Sequence, residues 1–167
     1  MKKSVLVSIL FAILSITSYA QELGEDEREG VEKFKSEKLP ELQKNIDDAA
    51  GFAVPLEINW DQIAGKGQAS SYNLEAYWEK PIFIPLAQIF AKLGKDKIGK
   101  SNLSKIKKVV LMYDEKKKKT TGVSYENNVT YANGVVTLNL QPYSNGDPSD
   151  IEEKVKFISR FLNSKIK

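Results

Sequence analysis

The chain has 167 residues, with 25 Lys and Arg against 22 Asp and Glu, and it contains no His and no Cys. The two missing residue types exclude Ser-His-Asp and Cys-His mechanisms, His/Cys zinc sites and disulfides. The formal net charge of +3 becomes +1 without the first twenty residues, which hold two lysines and no acid, so the basic balance is no argument for nucleic acid.

Residues 1–20 read as a cleaved signal peptide. Lys2 and Lys3 form a positive start, Val5 to Ile16 an apolar stretch too short to span a bilayer, and Ser18-Tyr19-Ala20 a small-x-small cleavage site. The expected address is periplasmic or secreted, and no integral membrane segment is expected in the mature chain. An exported chain without Cys fits a bacterial envelope. Residues 21–30 read as a flexible, acidic lead-in, and 31–167 as a single α+β domain, large enough to hold a core without disulfides.

A helical pattern follows: Val31, Phe34, Leu39, Leu42, Ile46 and Ala49. Pro40 requires a break near Leu39, and Gly51 is a C-cap. Val54 to Trp60 alternates as a strand, and Ala64 to Ser71 is loop-like. Pro85 to Leu93 reads as a helix ended by Gly94. Lys95 to Ile106 holds a shorter helix with Ser101 as a possible N-cap.

From Lys107 to Gln141 the expectation is a three-strand antiparallel meander. Its first strand, Lys107 to Glu115, is apolar on both faces, which suggests a central strand covered twice. Strand 54–60 is placed on its free side. Lys116 to Lys119 forms the first hairpin tip, and Thr121 to Tyr131 alternates as the second strand. Asn133-Gly134 is a type I′ hairpin signal. It sets Ala132 opposite Val135, Tyr131 opposite Val136, Val129 opposite Leu138 and Asn127 opposite Leu140. Pro142 to Pro148 is turn chemistry. The closing helix carries Ile151, Val155, Ile158 and Leu162 on one stripe; its start is either a Ser149/Glu152 capping box or Asp147 with Pro148. The fold class is therefore α+β, with a mainly antiparallel sheet of about four strands (meander 107–141 plus strand 54–60). Helices pack on one face, and N-terminal and C-terminal helices flank it.

Two stretches carry candidate function. Trp60, Asp61, Tyr72, Glu75, Tyr77, Trp78 and Glu79 combine flat rings with carboxylates, as a ligand-binding groove for sugars needs; ordinary core packing is the competing explanation. Lys92 to Lys119 holds eleven lysines and three acids. Within it Lys107, Lys108, Lys116, Lys117, Lys118 and Lys119 form a candidate partner surface; protection of a hairpin tip is the competing explanation. Asn145-Gly146-Asp147 with Asp150, Glu152 and Glu153 misses the spacing of a calcium loop, and helix capping accounts for it. No catalytic residue, metal or cofactor is assigned. The leading expectation is a non-catalytic exported binding protein with a protein or polysaccharide partner. DNA is not expected, because no Arg cluster exists. The alternative is a carboxylate-dependent hydrolase or carbohydrate-binding protein acting on an envelope polysaccharide, and a third reading is an inhibitor or immunity-type protein.

Overall fold

The computed structural model describes residues 22–95, 97–117, 125–143 and 147–166. The expected signal peptide, the tip residues Lys118 and Lys119, the strand residues 121–124, and Asn145 and Gly146 lie outside the described residues.

The acidic stretch expected as a flexible lead-in instead opens helix α1 (Glu25–Glu37). Glu25, Asp26 and Glu27 occupy its first turn, where the positive end of the helix dipole favours them. The expected break falls at Lys38. Pro40 sits in the first turn of α2 (Leu39–Ala50), where its missing N–H costs no hydrogen bond. Gly51 ends α2 at φ +80°, its N–H donating to the Asp47 carbonyl at 2.8 Å. The Asp47 carboxylate then latches the exit. Its Oδ1 accepts from Val54 N at 2.8 Å and from Gln43 Nε2 at 2.7 Å.

Strand β1 is Leu56–Ile58, shorter than the expected 54–60, because Trp60 already begins the single helical turn α3 (Trp60–Ile63). A wide turn over Glu79–Phe83 leads into α4 (Ile84–Leu93). In it Lys80 N donates to the Glu75 carbonyl at 2.8 Å, one residue further back than in an α-helix. Pro85 cannot donate to Pro81, so widening the turn relieves a clash that an α-helix would impose there. Ser101 lies inside α5 (Lys97–Leu103) and does not cap it. Of the two possible starts for α6 (Pro148–Lys165), the Asp147 one is realised: its Oδ1 accepts from both Ser149 N and Ser149 Oγ at 2.9 Å.

The remaining strands are β2 (Lys108–Met112), β3 (Val129–Ala132) and β4 (Val135–Asn139). The sheet order is β1-β2-β4-β3. β2 lies beside strand 56–58 as expected, but the antiparallel meander is overturned: β4 inserts between β2 and β3 and runs parallel to β2, as β1 does. The sheet is mixed and mostly parallel. Burial explains the choice. β2 and β4 each bury alternate residues, Val109 and Leu111 against Val136 and Leu138, and pair in the middle. β3, with Thr130 and Ala132 exposed, suits an edge. The NG hairpin has the expected register, Ala132 with Val135, Tyr131 with Val136 and Val129 with Leu138. Asn127 does not join the ladder, because Tyr125–Asn128 is a 3₁₀ turn.

Double coverage of β2 is also corrected. The helices cover the face bearing Val109 and Leu111, and α4 packs between α2 and α6, burying Leu86, Ile89, Phe90 and Leu93. On the other face Lys108, Val110 and Met112 are only half-buried.

Asn133 and Gly134 hold φ +54° and +85°, as a type I′ turn demands. A Cβ on Gly134 would lie 3.0 Å from the Lys105 carbonyl oxygen. Gly134→Ala is therefore expected to lose about 1–3 kcal/mol, combining left-handed strain with backbone crowding. A lower urea midpoint at unchanged slope is the expected reading.

Candidate functional site

The Trp60–Glu79 stretch is built around Trp78, which is fully buried. Phe34 meets it edge-on at 4.7 Å between ring centroids, Trp60 at 5.3 Å and Tyr77 at 5.0 Å, while Tyr72 lies tilted over it at 4.4 Å. Tyr72 and Tyr77 are buried as well. Their polar atoms are used internally. Trp78 Nε1 donates to the Ile63 carbonyl at 3.0 Å, Tyr72 Oη to the Gly65 carbonyl at 3.0 Å, and Gly65 N to Tyr77 Oη at 2.9 Å. Satisfied hydrogen bonds are what let such amphipathic rings enter a core. Glu27 completes the clamp by accepting from Gly67 N at 2.6 Å. That bond, chiefly, holds its carboxyl below the usual value although the side chain is buried.

Of the seven residues expected to line a groove, three are thus core rings. Trp60 is half-buried, with Lys35 Nζ 5.4 Å from its ring centroid. Asp61 and Glu75 are exposed, and Glu79 is half-buried. Glu75 pairs with Lys80 at 3.1 Å and Glu79 with Lys38 at 3.6 Å.

The lysine surface divides differently from the expectation. Lys107 precedes β2 and Lys116 follows it, so the strand holds them at opposite ends, separated by roughly 13 Å or more at strand rise. Lys108 sits on the open sheet face and pairs with Glu57 at 2.6 Å. Lys107 instead joins Lys100. Both line an open cleft of about 880 Å³ whose walls are the C-terminal end of α2 (Ala49, Ala50), Gly94 and Ser104. On the other side of α5, a second hollow of about 570 Å³ is lined by Lys97, Ile98, Lys105 and, from the end of α6, Asn163 and Ile166. The helix α5 is the wall between them. Ile98 is 74% exposed. Lys97, Lys100, Lys105 and Ile98 escaped selection as site residues, although the lysine density of this stretch was the available signal.

A third cluster was also missed. Lys154 is buried, and its Nζ donates to Asp150 Oδ2 at 2.6 Å while Tyr125 Oη donates to Asp150 Oδ1. Tyr125 lies in the 3₁₀ turn before β3, so the trio ties that turn to the first turns of α6. Burial, then the hydrogen bond to Asp150, raises the Tyr125 phenol well above its ordinary range.

The fold and its openings define a two-layer α+β protein with a mixed four-stranded sheet, helices on one face and a lysine-rich end split by α5. No protein-family model, no curated protein and no solved structure matches this chain. Among the described residues, no helix is long and apolar enough to cross a membrane.

Two predictions test the aromatic cluster. A Cβ on Gly30, in the interior of α1, would lie 2.7 Å from Tyr72 Cδ2. The Tyr72 ring is pinned by its stacking and its hydrogen bond. Gly30→Ala should therefore destabilise by about 1–3 kcal/mol through overpacking, although Ala in an open helix interior would stabilise by about 1 kcal/mol; a urea melt distinguishes the signs. Secondly, burial raises the Tyr72 and Tyr77 phenols above their ordinary 10.0. A phenol raised in the fold contributes stability that is complete below the unfolded value and is lost as pH rises through the folded one. Phenolate absorbance of these rings should stay absent well past pH ~10, and the urea midpoint should begin to fall there.

Proposed function

We propose that this chain is a small exported protein that works by binding, and that its partner is anionic and docks on the lysine-bearing end around α5. One observation carries the reading. Lys92, Lys95, Lys97, Lys100, Lys105 and Lys107 are all exposed, and none forms an ion pair with a described acid. Lys35, Lys38, Lys44, Lys80, Lys108 and Lys154 do, whereas Lys33, Lys66, Lys116, Lys156 and Lys165 are exposed without a pair among the described acids as well, so the density of the Lys92–Lys107 stretch is what sets it apart.

Helix ends neutralise only part of this charge. α2, α4 and α6 all end here, and each helix C-terminus carries about half a negative charge. Three ends offset roughly one and a half of the six lysine charges. Most of the positive charge is left for something else. The groove-based hydrolase reading has less behind it, because its rings are core and Glu75 and Glu79 are occupied by lysines.

The test is a comparison of two baits, residues 21–167 with their natural sequence and with Lys97, Lys100, Lys105 and Lys107 changed to Gln. Each is exposed to the source cell's envelope fraction, and bound protein, lipid and polysaccharide are all analysed. The natural bait should retain an anionic component that both high salt and the fourfold substitution release. Equal retention by the two baits would remove the lysine end from the function.

A further inference from the structure

Resting on that reading, we infer that the anionic partner is a lipid bilayer surface: the lysines around α5 meet lipid phosphates and Ile98 enters the acyl boundary. The first reason is the apolar tip. Ile98 is among the most exposed large apolar side chains described, at 74%, and it shares a hollow with Lys97 and Lys105. Lys95 precedes it in the chain, and Lys100 follows on the same short helix. An exposed apolar side chain beside lysines is the arrangement an interfacial helix presents to anionic lipid. A hydrated anionic polymer gives Ile98 nothing to gain.

The second reason is the chemistry of the cations. The whole chain has two arginines, Arg28 and Arg160, and neither lines either opening. Bidentate recognition of a fixed carboxylate or phosphate is arginine chemistry, whereas lysine acts as a point charge on a flexible stem. Point charges suit a fluid surface whose headgroups move to meet them. Protein interfaces, in contrast, are depleted in lysine and anchored by buried aromatics. Around α5 the polar neighbours of the lysines include Ser101, Asn102, Ser104 and Asn163, the one acid lining either opening is Asp48, which pairs with Lys44, and the one aromatic ring is Phe52 in the first cleft.

The third reason is geometry. The two hollows lie on either side of α5, so Lys100 and Lys107 flank one side of Ile98's helix and Lys97 and Lys105 the other. Their stems can extend past the helix to one plane while keeping the amines wet. The contact is peripheral, as the absence of any spanning helix among the described residues allows.

Co-sedimentation with vesicles is the test, using phosphatidylglycerol mixed into phosphatidylcholine, and phosphatidylcholine alone. Soluble polyphosphate is the parallel probe. The natural chain should bind the anionic vesicles and not the neutral ones. Ile98→Gln should weaken vesicle binding about tenfold and leave polyphosphate binding unchanged. Changing Lys97, Lys100, Lys105 and Lys107 to Gln should weaken vesicle binding at least ~100-fold, since each lysine near an anionic surface is worth roughly fivefold. The same four changed to Arg should restore it. All these positions except Ile98 bear exposed lysines, so an unchanged urea midpoint is the control for folding. Polyphosphate binding without vesicle binding, or an Ile98→Gln variant that binds vesicles like the natural chain, overturns the bilayer inference and leaves the anionic-partner reading standing. Loss of both probes overturns both.

Discussion

Parallel pairing of β2 with β1 on one side and β4 on the other constrains where almost everything else lies. Three strands that point the same way need connections that return to their starting edge. The return from β1 to β2 runs through α4 and that from β2 to β4 through the antiparallel strand β3, while α2 precedes β1 and α6 follows β4. The C-terminal ends of these three helices gather where the strands begin. The cleft lined by Ala49, Gly94 and Lys107, and the hollow lined by Asn163 and Ile166, are two views of that gathering. Charge follows topology: lysines collect at the negative helix ends, while Asp147 and Asp150 sit at the opposite, amino-terminal end of α6. In open parallel sheets, ligands ordinarily bind at the carboxyl edge of the strands. The openings described here lie at the other edge, one reason to look to a surface contact and not an enclosed substrate.

The carboxyl edge has been given over to packing. Trp78 takes in Phe34 from α1, Trp60 from α3 and Tyr72 and Tyr77 from the connecting loop. The loop has little secondary structure of its own, and three hydrogen bonds take the place of a ladder: Tyr72 Oη donates to the Gly65 carbonyl, Gly65 N to Tyr77 Oη and Gly67 N to the Glu27 carboxylate. Without them the rings would have no fixed floor.

What could be read from the residues depended on how local the determining interaction was. Pro40, Gly51 and Asp147 act within one turn, so helix ends were legible. Asn133-Gly134 fixes all four residue pairs of the β3–β4 ladder because a two-residue turn leaves no freedom of register. Nothing local says that Val109 should pair with Val136; that choice rests on which strands bury alternate residues once helices cover them. Tyr72, Tyr77 and Trp78 were ambiguous because the same amphipathic rings serve grooves and satisfied cores, and only their partners, Ile63 and Gly65, separate the two. The convergence of Lys97, Lys100, Lys105 and Lys107 depended on the direction of three helices, which composition cannot give.

The place of β4 also has a kinetic meaning. Its partner β3 is reached through a two-residue turn and can zip on a microsecond scale. Its other partner, β2, is reached only by closing the long segment between Met112 and Val129, at a larger entropic cost. β3 pairs with β4 alone, so the hairpin can form before it meets β2. Docking of the finished hairpin brings Tyr125 and the first turns of α6 with it through Asp150 and Lys154. The hairpin can therefore arrive as a preassembled part, while the parallel pairs β2–β4 and, over a still longer separation, β1–β2 close the sheet around it.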